Sequence, residues 1–258
     1  MLTDMQETYN PRYFNNLFET EKNHFWFRSR TKLILWAFRE YFPNAVKFLE
    51  IGSGTGYVLS SLEAAFPGVE MSGSDLYEEG LTFAESRVKR SALFQMDVLT
   101  MPFNNVFDVI GAFDVLEHIN EDNMVLEQIY KAVKPGGGIL LTVPQHPFLW
   151  TKWDDAACHK RRYTVGELKT KVKRAGFEIV LTTSFMSLLF PVMLLSRVKS
   201  RVKNQDMEPE DIVLDEMRIG TLANSLCETV MDIELKLLKR GLRLPFGGSL
   251  FLAAKKSG

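Results

Sequence analysis

The sequence predicts an α/β protein with a parallel sheet covered by helices on both faces. Three observations predict this class: short apolar runs alternate with helical patterns, the runs end in Gly, Asp or Pro, and a glycine-rich turn follows the first run. With 258 residues, of which 46% are hydrophobic and 24% charged, the chain is large enough for one such domain with additions. This composition excludes a disordered or fibrous protein.

The elements of this fold follow from two periodicities. Continuous apolar runs of four to eight residues indicate buried strands, and apolar residues spaced by three and four indicate helices. The expected strands are KFLEI (47–51), VEMSGSD (69–75), ALFQMD (92–97), FDVIGAF (107–113), GILLTVP (138–144), 177–183 and 249–254. The expected helices are 30–42, 57–66, 78–89, 120–133, 165–175 and 221–239.

Charge and cysteine content limit the partners. The 31 basic and 32 acidic residues leave a net charge of −1, so no global charge favours nucleic acid. Cys158 and Cys227 are too few for a disulfide framework, and no apolar signal segment follows Met1. The expectation is a cytoplasmic protein without a nucleic-acid partner and without a metal.

The string FLEIGSGTGYV (48–58) carries the strongest chemical signal. Glycines at 52, 54 and 56 follow a buried strand and precede a helix, where a ligand can approach the backbone closely. A dinucleotide fingerprint G-x-G-x-x-G would place its third glycine at 57, which is Tyr57. Glu50 also puts a negative charge where a pyrophosphate would lie. The motif therefore favours a ligand with positive charge over a nicotinamide dinucleotide.

Further polar residues close the next two strands. Asp75 ends the second strand, where a carboxylate can accept hydrogen bonds from both hydroxyls of a ribose. A helix N-cap is the alternative role for Asp75. Asp97 ends the third strand, where it can accept from an adenine amino group while Met96 and Val98 cover the ring.

Together with FDVIGAFDVLEHI (107–119) and KPGGGILLTVP (134–144), these motifs resemble class I S-adenosylmethionine-dependent methyltransferases from Phe48 to Pro144. The resemblance implies a Rossmann-like seven-stranded sheet with strand seven antiparallel between strands five and six. It also implies S-adenosylmethionine as cofactor, S-adenosylhomocysteine as product and a methyltransferase of class EC 2.1.1. The cofactor-binding residues implied are Glu50, Gly52, Ser53, Gly54, Gly56, Asp75, Leu76, Met96, Asp97, Val98, Ala112, Phe113 and Val115. A non-catalytic S-adenosylmethionine-binding regulatory module is the alternative.

Two outer segments, HFWFRSR (24–30) and HKRRYT (159–164), resemble a narrower subset of methyltransferases, type 11/12-like and associated with the bacterial envelope or with glycans. This resemblance leaves the acceptor open among a sugar, a lipid-linked intermediate, a small metabolite and a protein. The expected catalytic residues are His159, His146 and Tyr163, and the expected acceptor-binding residues are Arg161 and Arg162, because Arg pairs with carboxylate and phosphate. A solvated charge run with Thr164 as a helix cap is the alternative.

The expected domain organisation has three parts. Residues 1–45 form an N-terminal helical lid, 46–183 and 249–258 form the sheet domain, and 184–248 form a helical insertion. Residues 185–195 are apolar but too few to span a bilayer, and four basic residues follow over 197–203. Lid core, homodimer surface and peripheral membrane contact through 185–203 are the open alternatives, and the chain is expected to be a monomer or a homodimer.

Overall fold

The computed structural model of the chain describes residues 10–203, 208, 212 and 218–258, and the side chains of 199–203 lie outside this description. Its centre is one sheet of seven strands in the order β3-β2-β1-β4-β5-β7-β6. The strands are β1 Lys47–Ile51, β2 Glu70–Asp75, β3 Ala92–Gln95, β4 Phe107–Phe113, β5 Val133–Pro144, β6 Phe177–Phe185 and β7 Ser249–Lys256. β7 pairs antiparallel with both β5 and β6, which confirms the expected fold.

Helices cover both faces of this sheet. They are α1 Tyr13–Glu21, α2 Phe25–Tyr41, α3 Tyr57–Ala65, α4 Glu78–Arg87, α5 Asp122–Ala132, α6 Lys152–Ala156, α7 Val165–Arg174, α8 Phe190–Lys203 and α9 Thr221–Lys239. In the part of the chain that the structure describes, no helix combines the length and the apolar character needed to cross a membrane.

The core has one layer on each face of the sheet because strand side chains alternate. Phe48 of β1 packs with the layer that contains Leu33 of α2 and Leu235 of α9. Leu49, the next residue, packs with the opposite layer, which contains Leu126 of α5 and Leu168 of α7. The N-terminal segment and the region before β7 thus share one face of the sheet.

Contacts between α2 and α9 fix these outer helices to each other. Lys32 Nζ lies 2.9 Å from Glu228 Oε1 and 2.6 Å from Asp232 Oδ1. At the start of α2, the Phe25 N–H donates to Asn224 Oδ1 over 2.8 Å. The two segments therefore form one connected layer on this face of the sheet.

The close packing of Gly56 in the glycine-rich turn predicts that a larger residue there would destabilise the fold. Gly56 has φ +74°, and a Cβ there would lie 2.8 Å from Ala84 Cβ, so Gly56→Ala would be strained and overpacked. We expect Gly56→Ala to lower the free energy of unfolding by about 2–4 kcal/mol, measured by urea denaturation. Gly68→Ala is the matched control, because a Cβ at Gly68 meets nothing within 4 Å. Equal stability of the two variants would contradict the prediction.

Candidate active site

A cavity of about 750 Å³ opens at the carboxyl ends of the parallel strands, as expected for a ligand site in an α/β sheet. The glycine turn forms one wall, α1 and α2 form the cover, and α8 closes the far side. The cavity lining includes these residues expected from the sequence: Glu50, Gly52, Ser53, Gly54, Asp75, Leu76, Met96, Asp97, Val98, Phe113 and Val115. Gly56 and Ala112 lie behind the lining, since Gly56 packs on Ala84 and Ala112 is fully buried.

The glycine turn packs too closely against the segment after β4 to accept a side chain at its first glycine. Gly52 has φ +64°, and a Cβ there would lie 2.5 Å from Val115 Cγ2. The Gly54 N–H donates to Asp75 Oδ2 over 2.8 Å, and the Tyr77 N–H donates to Asp75 Oδ1 over 3.0 Å. These bonds hold the buried Asp75 carboxylate in one orientation, and its remaining lone pairs can accept ribose hydroxyls.

Glu50 gives the cavity its charge preference. Its side chain is buried, and its Oε2 atom has no hydrogen-bond partner among the described residues. Burial raises the pKa of Glu50 well above its ordinary value, although the nearby Arg30 guanidinium opposes this effect. A buried carboxyl with a free oxygen fits a cationic ligand group such as the ammonium of S-adenosylmethionine.

We expect Glu50→Gln to change stability and cofactor binding in opposite directions. The pKa of Glu50 is higher in the folded state than in the unfolded chain. The free energy of unfolding of the wild-type protein therefore falls as the pH rises above the pKa of Glu50 in the unfolded chain, by up to ~1.4 kcal/mol per pH unit. Glu50→Gln lacks this loss, so its relative stability should increase from pH 5 to pH 8. Its affinity for S-adenosylhomocysteine should fall, since the ammonium loses its counterion.

Urea denaturation at the two pH values and calorimetry test this pair of effects. Glu70→Gln, a change at an exposed carboxylate on β2, is the control. If the free energy of unfolding depends on pH in the same way for wild type and Glu50→Gln, Glu50 does not bind a proton on folding, and the prediction is wrong.

Ion pairs fasten the cover to the sheet. Glu21 of α1 accepts hydrogen bonds from Arg87 of α4 and from Thr55 in the glycine turn. Arg30 of α2 pairs with Asp114, which follows β4, and lies 4.5 Å over the Trp26 ring. The cover is therefore anchored to the turn after β1 and to the turn after β4.

On the far side of the cavity, His159 and Asp154 form a buried pair. The Nδ1 atom of His159 lies 2.9 Å from Asp154 Oδ1 and donates to it, because a carboxylate can only accept. Burial alone would raise the pKa of Asp154, but hydrogen bonds from His159 and Arg162 outweigh it and keep this pKa below its ordinary value. His159 also lines the cavity, although its side chain is only 5% exposed.

A helix cap holds this pair in place. Asp154 closes a capping box at the start of α6, where its Oδ2 atom accepts the Thr151 N–H over 2.9 Å. The Arg162 Nε atom donates to Asp154 Oδ1 over 2.7 Å, and Arg162 also lines the cavity. In this arrangement Arg162 positions Asp154, a different contact from the acceptor binding expected from the sequence.

Three residues expected at the site lie outside the cavity lining. Tyr163 is fully buried and donates its hydroxyl to Asp122 Oδ2 over 2.6 Å, while Arg161 Nη1 lies 2.8 Å from the same oxygen. Burial and the Asp122 carboxylate raise the pKa of Tyr163 well above its ordinary value, so this phenol stays protonated. His146 packs against the rings of Phe148 and Phe246 instead. No geometry here supports the expected catalytic roles of Tyr163 and His146 or acceptor binding by Arg161.

Sequence reasoning missed Asp154, Arg30 and Glu117 as site residues. The signal for Asp154 was the T-x-x-D capping pattern at 151–154, five residues before His159. Glu117, fully buried at the cavity, offers with His118 and His159 ligand atoms that lie within 4.8 Å of one another. Burial raises the pKa of Glu117 well above its ordinary value, which disfavours the charged carboxylate that a metal ligand requires, and we assign no metal to this group.

Comparison with known proteins identifies the class. A methyltransferase domain family matches residues 16–182, more than half of the chain, so the chain belongs to this family. Phosphoethanolamine N-methyltransferase 2 of Caenorhabditis elegans is 34% identical over 119 residues, which are 43% of this chain and 26% of that protein. The methyltransferase YdaC of Bacillus subtilis, itself uncharacterised, is 29% identical over 133 residues, 50% of this chain and 70% of that protein. The matched segment spans only 26–40% of the first three curated relatives.

Solved structures share the fold. Phosphoethanolamine N-methyltransferase 2 of Haemonchus contortus, solved with phosphomonomethylethanolamine and S-adenosylhomocysteine, aligns with TM-score 0.62 and 19% identity over 98% of this chain and 59% of that one. A methyltransferase solved with the Haloferax volcanii activator Trm112 aligns with TM-score 0.63 and 16% identity, over 96% of this chain and 95% of that one. Family, fold and site residues together support S-adenosylmethionine as the cofactor of this chain, as expected from the sequence.

Proposed function

We propose that the chain transfers the methyl group of S-adenosylmethionine to a hydroxyl group of a small acceptor, with His159 as the general base. The observation that carries the proposal is the His159–Asp154 pair, whose Nδ1 to Oδ1 distance is 2.9 Å, in the wall of the cavity that the glycine turn also lines. A hydroxyl is a poor nucleophile until a base removes its proton, and histidine is suited to this task near neutral pH.

The residues of the glycine turn would hold the cofactor at one end of the cavity. Glu50 would face its ammonium group, Asp75 would accept from its ribose hydroxyls, and Asp97 would accept from the adenine amino group. When bound, the cofactor supplies an activated methyl group on a sulfonium centre and leaves as the thioether of S-adenosylhomocysteine.

At the other end, His159 Nε2 accepts the acceptor's hydroxyl proton as the acceptor oxygen forms its bond to the methyl carbon. Asp154 stabilises the imidazolium that results and keeps the ring orientation fixed. The cover formed by α1 and α2 would limit the access of water to the cavity. Holding both reactants in near-attack geometry contributes on the order of 7–11 kcal/mol to such reactions.

Of the acceptor classes expected from the sequence, a sugar presents several hydroxyl groups, and a lipid-linked intermediate or a small metabolite fits where it carries one. The narrower relationship to envelope-associated or glycan-associated members, and the three-part division of the chain, stay predictions. Trp26 and Arg30, which both line the cavity, support a covering role for the N-terminal segment.

The experiment that tests the proposal follows the methyl group. The protein is incubated with S-adenosylmethionine labelled in the methyl carbon and a total extract of cells that make this protein, and the labelled product is treated with hydriodic acid. An O-methyl ether releases volatile methyl iodide under conditions that leave N-methyl and C-methyl groups intact. Label that stays in the non-volatile fraction would contradict a hydroxyl acceptor.

A further inference from the structure

The outer face of α8 is apolar although it faces solvent. Leu194, Leu195 and Val198 have exposed fractions of 38%, 71% and 55%. Met193 on the other face of the same helix, and Leu189 directly before the helix, line the cavity. An exposed helix face of this composition is unusual for a surface that contacts water alone.

Two exposed aromatic side chains lie beside the start of α8. Phe148 and Phe246 are 56% and 59% exposed, and their rings lie 4.9 and 5.9 Å from the His146 ring. Phe190, the first residue of α8, is 6.3 Å from Phe246 between ring centroids. We define the apolar rim as Phe148, Val192, Leu194, Leu195, Val198 and Phe246.

Charge favours one partner for the apolar rim. The sequence of α8 continues with Lys199, Arg201 and Lys203 and contains no acidic residue. A helix that combines an exposed apolar face with several basic residues binds at the interface of membranes that contain anionic lipids. Since no described helix can cross a membrane, the contact would be peripheral.

The apolar rim also borders the cavity. Val192 is 62% exposed and lines the cavity, so it lies at its mouth. Behind it, Met186, Leu189 and Met193 give this side of the cavity an apolar wall, whereas His159 and Arg162 lie at the polar end. An acceptor that fills both regions carries a polar reacting group and an apolar part.

We propose that α8 and the apolar rim bind the surface of membranes that contain anionic lipids. We further propose that the acceptor is an amphipathic molecule that enters the cavity from that surface. The second part rests on the proposed methyltransferase function. The first part concerns binding alone and is independent of catalysis.

Sedimentation with vesicles tests the docking surface. The full chain is mixed with vesicles of phosphatidylcholine and phosphatidylglycerol in equal parts, and with vesicles of phosphatidylcholine alone, at low salt and at about 0.5 M salt, where charges are strongly screened. We expect sedimentation with the anionic vesicles at low salt, and a marked loss at high salt or in the variant Lys199→Gln/Arg201→Gln/Lys203→Gln.

The double variant Leu195→Ser/Val198→Ser should bind anionic vesicles about tenfold or more weakly, since it removes apolar area from the interface. Leu222→Ser/Leu226→Ser is the matched control, because these α9 side chains are 89% and 66% exposed but lie outside the apolar rim, and its binding should stay within about twofold of wild type. Wild-type protein that stays in the supernatant, or equal losses in both double variants, would overturn the proposal. So would a dimer that only Leu195→Ser/Val198→Ser dissociates, because the face would then join two copies.

Solvent extraction of the labelled product tests whether the acceptor is amphipathic. Labelled methyl groups from S-adenosylmethionine and a total membrane extract should appear in the chloroform phase after chloroform–methanol extraction. Label confined to the aqueous phase would overturn an amphipathic acceptor. S-adenosylhomocysteine binding, measured by calorimetry on the same variants, separates failure of the methyltransferase function from failure of membrane docking.

Discussion

The His159→Gln variant is expected to transfer methyl groups about 10²–10⁴-fold more slowly than wild type, with cofactor affinity within about twofold. The loss follows because the Nε2 atom that would accept the acceptor's proton is removed, while Glu50 and Asp75 keep their contacts. Single-turnover rates at saturating S-adenosylmethionine, with the membrane extract as acceptor source, measure the chemical step.

Two further variants separate catalysis from structure. Asp154→Asn should slow transfer because the carboxylate that stabilises the imidazolium is lost. His146→Gln is the matched control, since His146 lies outside the cavity lining and packs among aromatic rings. Equal losses in His159→Gln and His146→Gln, or loss of cofactor binding in His159→Gln, would show that His159 is not the base.

The second large effect concerns the cofactor. Asp75→Ala should weaken S-adenosylhomocysteine binding by about 1–3 kcal/mol, the usual cost of leaving buried polar partners unpaired. Asp232→Ala, which removes an ion pair between α2 and α9 at a distance from the cavity, should leave the affinity unchanged. Calorimetry measures both constants.

A structural role for Asp75 predicts a different outcome. Asp75 also accepts the Tyr77 N–H immediately before α4, so its loss affects the start of that helix. Unchanged affinity in Asp75→Ala together with a lower melting temperature would show that Asp75 only caps this segment.

The sheet could be predicted because its signals are local. Each strand is a continuous apolar run that ends in Gly, Asp or Pro, and the glycine turn identifies the edge where ligands bind. The place of β7 between β5 and β6 came from the family resemblance, since no local pattern specifies strand order. α6 was missed because five residues are too few to display a helical period, and α1 lies in the expected helical lid without a predicted range of its own. β5 begins at Val133 because Val133 pairs with Phe107 across an irregular register, which periodicity does not reveal.

The candidate site was most predictable where residues end a strand or follow it directly. Asp75 and the glycine turn lie in the cavity lining, as expected from their positions. The segment after His159 is different, because Tyr163 forms a bridge with Gln145 and neighbouring side chains then point to opposite sides. Arg162 therefore faces the cavity, whereas Arg161 and Tyr163 face α5. That alternation depends on a pairing between distant residues, so the sequence HKRRYT alone could not separate the three roles.

The central claim is that the cavity beside the glycine turn binds S-adenosylmethionine, and calorimetry with S-adenosylhomocysteine tests it most directly. We predict one site per chain with a dissociation constant in the micromolar range or tighter, a raised melting temperature, and no binding of NAD. Absence of both heat and thermal shift at about 1 mM S-adenosylhomocysteine would contradict the account, because a ligand of the native state must stabilise it.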